Sequence, residues 1–475
     1  MAAAGSIVTA RSDNRVDLAG LSLVLGLGAS GVSAVRFIDA HGGVVRALDS
    51  RAQPPGLAAV AKLGVEVVTE SLDPKYLADV SRVILSPGLS IDLPICQAAR
   101  ERGIEVLNDI ELFARQCEAP VLAVTGSNGK STVATLLAQL LEAAGVNAPA
   151  GGNLGTPALD LLERSRDGAP ADAYVLEISS FQMEAAQSLA PLAAAVLNVS
   201  ADHLDRHPNI EIYAGLKEKL LRDAATAVVN ADDPIVAAMG RRHRAAIEFS
   251  TLRTLAGGYS TINTPNGEQL ARDGVAVLPV AELAMVGRHN VANALAALAL
   301  ADASLRADGP LRRTVANEQA DPTGAMLDVL RRFRGLPHRC EFVAEVEGVT
   351  YVNDSKATNV GASAAALAGF DGPVVLIAGG QGKGADFSEL PVQARGKMRA
   401  VITIGAAAKE IAAVFAGECP VVHAQDMREA VRQANAQSRP GDTVLLSPAC
   451  ASLDMFENYA ARGHAFAAAV RELRP

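Results

Sequence analysis

One stretch limits the possible folds of this chain more than any other: residues 121–137, VLAVTGSNGKSTVATLL. Val121–Val124 is a short apolar run, the pattern of a buried strand. Thr125, Gly126, Ser127, Asn128, Gly129, Lys130, Ser131 and Thr132 follow. Val133, Leu136, Leu137, Leu140 and Leu141 then recur at helical spacing, and Gly145 is a natural stop. Strand, glycine turn, Lys-Ser and helix make up the setting of a phosphate-binding loop. Glycines turn backbone N–H groups toward a ligand, and the helix N-terminus adds positive potential. Lys130 supplies a cation and Ser131 a hydroxyl suited to Mg²⁺. Val124 stands where the pattern G-x-x-x-x-G-K-[ST] has its first glycine. The competing reading, a chance glycine turn, does not account for Lys-Ser directly after Asn-Gly in this setting. A nucleoside triphosphate site is expected here.

At 475 residues the chain is too long for one core, so two to four domains are expected. A net charge of −9 argues against nucleic acid or an anionic membrane as the main partner. The five cysteines (Cys96, Cys117, Cys340, Cys419, Cys450) form no C-x-x-C pair and read as reduced, mostly buried thiols of a cytosolic protein. No signal peptide is expected, and no apolar run approaches the ~20 residues of a membrane span.

Before the phosphate loop, Leu21–Leu25 reads as a strand and is followed by Gly26-Leu27-Gly28-Ala29-Ser30-Gly31 and a helix. A second strand, Val44–Leu48, ends at Asp49. This is a G-x-G-x-x-G fingerprint with its acidic residue, which alone suggests NAD or FAD. The safer reading is a diphosphate on this helix N-terminus, with Asp49 accepting from a ribose or a base. Val83–Leu85 with Ser86-Pro87-Gly88, and Ile104–Leu107, add further strands. After the loop come Gly151-Gly152-Asn153-Leu154-Gly155 and a strand ending in Glu177, where a Mg²⁺ ligand belongs. The next strand, Ala193–Val199, runs into Asp202-His203-Leu204-Asp205-Arg206-His207, which reads as a site at a strand end. Ile210–Leu221 reads as a helix; its Lys217 and Lys219 read equally well as two solvated lysines. Met285-Val286-Gly287-Arg288-His289-Asn290 opens an Ala/Leu-rich helix with Asn293 one turn on. Residues 304–325 look like a linker or a mobile insertion, and a short helix is expected over Met326–Phe333.

From Leu336 strands and helices alternate again, as in a parallel sheet: Thr350–Val352, Val374–Ala378, Ala400–Ile404, Val421–Val422 and Thr443–Leu446. Lys356, Lys383 and Ser452 fall at strand carboxyl ends, which suggests a pocket for a small carboxylate-bearing substrate. The expected class is α/β in three domains: an N-terminal Rossmann-like domain (1–115), a central P-loop ATPase-type parallel sheet (116–334) and a C-terminal Rossmann-like domain (335–475).

Taken together and in order, TGSNGKST, GGN, LEISSFQ, DHLDRH, Tyr213-x-x-x-Lys217, GRHNVAN, LPHRCE, NDSKATN, GGQGKGADF and SPACASLD resemble the Mur ligase family. These are ATP-dependent amide-forming enzymes of peptidoglycan synthesis, and the likeness covers nearly the whole chain. The last block, with Leu176–Gln182, is most similar to the branch that adds D-glutamate to UDP-N-acetylmuramoyl-L-alanine. The resemblance removes the need for a redox cofactor, because in this family the first domain holds the substrate's uridine diphosphate. It implies that Gly28, Ala29, Ser30, Asp49, Ser50, Arg51, Ser86, Gly88 and Asn153 line that group. It implies ATP on residues 125–132, on Asn290 and Asn293, and on His338, Arg339 and Asp354 from the third domain. Mg²⁺ is implied at Ser131, Glu177, His203 and Lys217, the last as a carbamate, and Lys130, Glu177, His203 and Lys217 are the implied catalytic set. Lys356, Thr358, Lys383, Ser452 and Tyr459 are the implied amino-acid site, with Tyr459 where relatives are expected to carry Phe. Segment 304–325 is longer than the family norm. A cytoplasmic monomer is implied, with no nucleic-acid partner and no membrane insertion.

Four readings therefore stand side by side: the D-glutamate-adding ligase or a sister adding another amino acid; a folylpolyglutamate synthase-like ligase, against which GLGASG counts; an NAD-dependent oxidoreductase fused to a kinase; and a non-catalytic nucleotide-gated binding protein.

Overall fold

The computed structural model describes residues 15–200, 206–306, 309–311, 322–370 and 372–473. Three sheets follow one another along the chain. The first is built from β1 (Leu21–Leu25), β2 (Val44–Leu48), β3 (Glu66–Val68), β4 (Val80–Leu85) and β5 (Glu105–Asn108), in the order β3-β2-β1-β4-β5. Every pairing is parallel. The order reverses between β1 and β4, and a ligand crevice forms at such a switch point. Helix α1 (Ala29–Ala40) starts directly after the glycine turn. Gly31 has no room for a side chain, since a Cβ there would lie 1.8 Å from the Gly26 carbonyl oxygen. The motif's last glycine thus lets α1 lie against the turn. Helix α2 (Asp109–Gln116) closes this part, capped by the Asn108 side chain on the Glu111 N–H.

The central sheet has nine strands. β6 (Val121–Thr125), β7 (Ala150–Gly152), β8 (Tyr174–Glu177), β9 (Ala193–Val196), β10 (Thr226–Asn230) and β11 (Ala246–Ser250) are parallel; β12 (Tyr259–Thr264), β13 (Gly267–Arg272) and β14 (Val275–Pro279) extend one edge as an antiparallel meander. The Gly151-Gly152 segment is part of an edge strand beside β8. Helix α3 (Lys130–Ala143) follows β6 and buries Leu136, Leu137, Leu140 and Leu141. Helices α4 (Ser180–Ala185) and α5 (Ile210–Arg222) cover one face; α6 (Arg288–Ser304) packs against α3 on the other, its alanines allowing close approach. The α6 helix begins at Arg288, after the bend at Gly287, rather than at Met285. The helix expected over Met326–Phe333 spans Pro322–Arg332, so it takes in the end of the expected linker. The rest of that linker falls partly outside the described residues.

The third sheet comprises β15 (Glu341–Val346), β16 (Val349–Asn353), β17 (Val374–Gly379), β18 (Met398–Ile404), β19 (Val421–His423) and β20 (Thr443–Leu446), in the order β15-β16-β20-β17-β18-β19. Only β15 is antiparallel. Helix α7 (Tyr459–Glu472) ends the described chain. Among the described residues no helix is long and apolar enough to cross a membrane.

Candidate active site

The first pocket, about 580 Å³, opens at the carboxyl ends of β1, β2 and β4. All nine residues expected around a uridine diphosphate line it, eight from the first sheet's loops and Asn153 from the central domain. Asp49 differs from its expected role. Its carboxylate already accepts the Leu27 N–H (2.7 Å), the Arg51 N–H (2.9 Å) and two guanidinium bonds from Arg51 (2.8 and 2.7 Å). The Arg51 guanidinium, with the backbone donors, overcomes burial and holds Asp49 down at about 2. Asp49 therefore braces the glycine turn and aims Arg51, and both its oxygens are occupied within the chain. Phe181 and Gln182 also line the pocket; they belong to LEISSFQ, but sequence alone assigned them no ligand.

Asn153 leads from this pocket to the phosphate loop. Its side-chain amide donates to Glu177 Oε1 (2.7 Å), while Ser131 donates its hydroxyl to Glu177 Oε2 (2.6 Å). Gly129 precedes α3 with φ 86°, and a Cβ there would meet Asn293 Oδ1 at 2.5 Å, so the loop needs glycine on both counts. Lys130 Nζ donates to the Gly126 and Ser127 carbonyls, both at 2.9 Å. The loop is braced in return by Asn198, which exchanges side-chain bonds with Asn128 N–H (2.8 Å) and carbonyl (3.1 Å).

The structure separates the two lysines that the sequence could not. Lys217 is buried; its ammonium donates to the Gly126 carbonyl at 2.9 Å and stands 4.2 Å from the Tyr213 ring centroid. Lys219 points away, to the Met183 carbonyl at 3.1 Å. Lys130 and Lys217 thus converge on one carbonyl oxygen of the phosphate loop. His203 lies outside the described residues, as do Asp202 and Asp205. The described remainder of DHLDRH is structural: Arg206 pairs with Glu184 (2.6 Å) and donates to the Leu89 carbonyl (2.8 Å), and His207 Nε2 meets the Ser180 hydroxyl (3.0 Å). Ser131 and Glu177 offer hard oxygen donors, the chemistry that suits Mg²⁺. Among the described residues no group of three or more His, Cys, Asp or Glu gathers as a metal site. The pair fits an ion completed by phosphate oxygens and water.

A second cavity, about 270 Å³, lies between the central and third domains. Asn128, Gly129, Thr132, Asn290 and Asn293 face Arg339, Asp354 and Lys356 across it. Asn290 donates to the Val286 carbonyl (2.8 Å) and accepts from Asn293 (3.0 Å), which fixes both amides. Burial pushes Asp354 up to about 7, against the Ser447 hydroxyl (2.8 Å) and the Cys340 N–H (3.2 Å) that favour its charge. His289 lines the same cavity; burial holds it down at about 4. Two expectations shift here. His338 stands behind the wall, in left-handed backbone (φ 62°), with Nδ1 against the Asn353 amide (2.9 Å). Lys356, expected in the amino-acid site, faces this cavity and reaches the Tyr459 hydroxyl at 3.4 Å.

The remaining rim residues sit on neighbouring loops. Lys383 and Ser452 follow two segments joined by the Gln381–Ala451 backbone pair, with Lys383 exposed and Ser452 buried. Thr358 is exposed, just past Lys356. Arg462, fully buried on α7, ties these loops together by bonds to Ser355 (3.0 and 2.8 Å) and to the Cys450 carbonyl (3.0 Å). Nothing in the sequence singles out this arginine within an Ala-rich helix.

Three family models match the chain: the MurD-like N-terminal domain over residues 21–108, the Mur ligase middle domain over 124–301, and the Mur ligase glutamate ligase domain over 338–450. The chain belongs to the Mur ligase family. Within it, the chain is 47% identical over 466 residues to the UDP-N-acetylmuramoylalanine–D-glutamate ligase of Methylococcus capsulatus, covering 96% of each. It is 44% identical over 460 residues to the ligase of the same name from Nitrosococcus oceani, covering 96% of this chain and 97% of that one. Among solved structures, the UDP-N-acetylmuramate-alanine ligase of Thermotoga maritima superposes with a TM-score of 0.54 at 17% identity, covering 95% of this chain and 99% of that one. FolC of E. coli gives 0.53 at 17% identity, over 77% and 93%. Both share the fold.

Proposed function

We propose that this protein is the ATP-dependent ligase that joins D-glutamate to UDP-N-acetylmuramoyl-L-alanine in peptidoglycan precursor synthesis. The observation that carries the reading is the hydrogen-bonded chain Asn153–Glu177–Ser131, which runs from the first pocket to the phosphate loop. It gives a sugar nucleotide and a triphosphate a common meeting point. The curated relatives named above, alike over nearly their full length, carry that activity in their names. The working division is 1–115 for the UDP substrate, 116–334 for ATP and 335–475 for the amino acid, in a cytoplasmic monomer.

In the proposed reaction a carboxylate oxygen of the muramoyl-alanine attacks the γ-phosphorus of ATP. The bond from that phosphorus to the bridging oxygen breaks, ADP leaves, and an acyl phosphate forms. The amine nitrogen of D-glutamate then attacks the acyl carbon, the carbon–oxygen bond to phosphate breaks, and inorganic phosphate departs as the amine loses a proton. Charge develops on the transferring phosphoryl group, opposite the loop N–H groups, the α3 N-terminus and Lys130. Mg²⁺, when bound, neutralises phosphate charge, and Ser131, Glu177, His203 and a carbamylated Lys217 are its proposed holders. Lys217 is the candidate for carbamylation because its amine is buried directly beneath the phosphate loop, where the added carboxylate would face bound metal and phosphate. Lys383, Ser452, Thr358 and Tyr459 receive D-glutamate, and Lys356 bridges that site and the nucleotide cavity. Rotation of the third domain closes the cavity and excludes water from the acyl phosphate.

An amino-acid panel with the UDP substrate, scored by ADP formation, tests this. Turnover is expected with D-glutamate alone. Turnover with another amino acid and none with D-glutamate would assign a sister activity.

A further inference from the structure

The first pocket has walls from two domains. Ser30 and Arg51 come from the first; Ser179, Phe181 and Gln182, at the start of α4, come from the second. One turn of the first domain grips α4. Asn108 Nδ2 donates to the Gln182 carbonyl at 2.6 Å, and Asp109 accepts the Gln182 side-chain amide at 3.2 Å. Glu111, fully buried, accepts the N–H groups of Gln187 (2.5 Å) and Ser188 (2.8 Å) and the Ser188 hydroxyl (2.6 Å), with Arg115 at 2.6 Å on its own helix. None of these three gripping residues lines the pocket.

We infer that the Asn108–Glu111 turn is a latch that positions the Ser179–Gln182 wall for the UDP portion of the substrate, with Glu111 as its main positioning residue. The inference rests on the ligase reading above. Without the Glu111 carboxylate, the N–H groups of Gln187 and Ser188 and the Ser188 hydroxyl, just past the end of α4, lose their acceptor, so the segment that anchors α4 against the first domain loses its fixed place. The two buried carboxyls of the latch are pushed in opposite directions. Burial pushes the Glu111 carboxyl up, but the Ser188 hydroxyl, the two N–H groups and Arg115 outweigh it and hold the acid below its ordinary range. Asp109 is equally buried, yet its Oδ1 has no hydrogen-bond partner among the described residues, and burial outweighs the Ser30 and Gln182 side chains to raise its pKa.

Calorimetric affinities of Glu111→Ala and Glu111→Gln for UDP-N-acetylmuramoyl-L-alanine and for a non-hydrolysable ATP analogue test the latch. Glu111→Ala is expected to weaken the UDP substrate about tenfold while the ATP analogue stays within about twofold. Glu111→Gln, which keeps one acceptor oxygen, is expected between wild type and Glu111→Ala. If Glu111→Ala does not fold by circular dichroism, Asn108→Ala carries the test, with a loss of about threefold confined to the UDP substrate. A parallel fall of both affinities, or no fall, overturns the latch alone. A wild-type protein that ignores the UDP substrate overturns the ligase reading and the latch with it.

Discussion

The two joints of this molecule are built differently. Between the first and central domains the apolar core is continuous: Phe113 and Phe37 share one cluster with Tyr174, Leu176 and Leu159. Phe113 meets Tyr174 edge-on at 5.4 Å, and Ser33 donates to Asp160 at 2.6 Å. Between the central and third domains lies a cavity whose asparagines and three charged side chains (Arg339, Asp354, Lys356) alternate with apolar walls such as Leu197, Phe249 and Ala366; the joint is bridged by the Arg288 N–H to the Gly369 carbonyl (2.8 Å) and by His289 against Phe370. The third domain keeps its own apolar clusters. A shared core resists sliding because packed interiors have few alternative arrangements, whereas a joint across a cavity, between separate cores, opens at smaller cost. The shared core suits the first joint to holding a ligand in place, and the proposed rotation of the third domain falls on the second joint.

The largest expected effect bears on the element common to both joints. Lys130→Ala should lower ADP formation by at least ~10³-fold while sparing affinity for the UDP substrate. A matching loss of that affinity would mean that the first pocket is not preset. Lys217→Ala should cost at least ~10²-fold in turnover, and added bicarbonate should not restore it; wild-type turnover would remove the carbamate from the reading. Calorimetry addresses the joints themselves. The first two domains should melt as one unit and the third separately, and Phe113→Ala should destabilise only the joint unit, by about 3–5 kcal/mol. Three independent transitions would break the contrast.

The pH dependence of the third domain gives a smaller test. Its Asp354 has a folded-state value of about 7 against an ordinary 3.8, so the folded form binds the proton more tightly. The resulting stability is full below the ordinary value and is lost as pH rises through about 7. The melting point of the third domain should therefore fall between about pH 4 and 7 and level off above, and Asp354→Asn should flatten that slope. The smallest effect is expected from Gly369→Ala, whose Cβ would come 2.3 Å from His289 Nδ1. It should raise KM for ATP by roughly two- to fivefold, with KM for the UDP substrate unchanged.

Much of the site was legible because its signals are local. GLGASG and TGSNGKST encode backbone shapes that only glycine allows close to a helix N-terminus, and the apolar runs before them encode buried strands. These features do not depend on what lies elsewhere in the chain, so they put the two glycine turns at helix N-termini and the alternating α/β order within reach of the sequence. What it could not show was which side chains meet across distant segments. Lys217 and Lys219 are alike on a helical wheel, and only the packing of α5 buries one beneath the phosphate loop and turns the other to Met183. Asp49 looked like a ligand acceptor until the fold surrounded it with Arg51 and Leu27. Arg462 gained its place from the Ser355 loop, more than a hundred residues away, and from the Cys450 carbonyl. Asp109 and Glu111 stand two residues apart with the same chemistry, yet their ionisation is pushed in opposite directions. Ionisation depends on burial and on the donors that surround a group, and both are properties of the assembled domains.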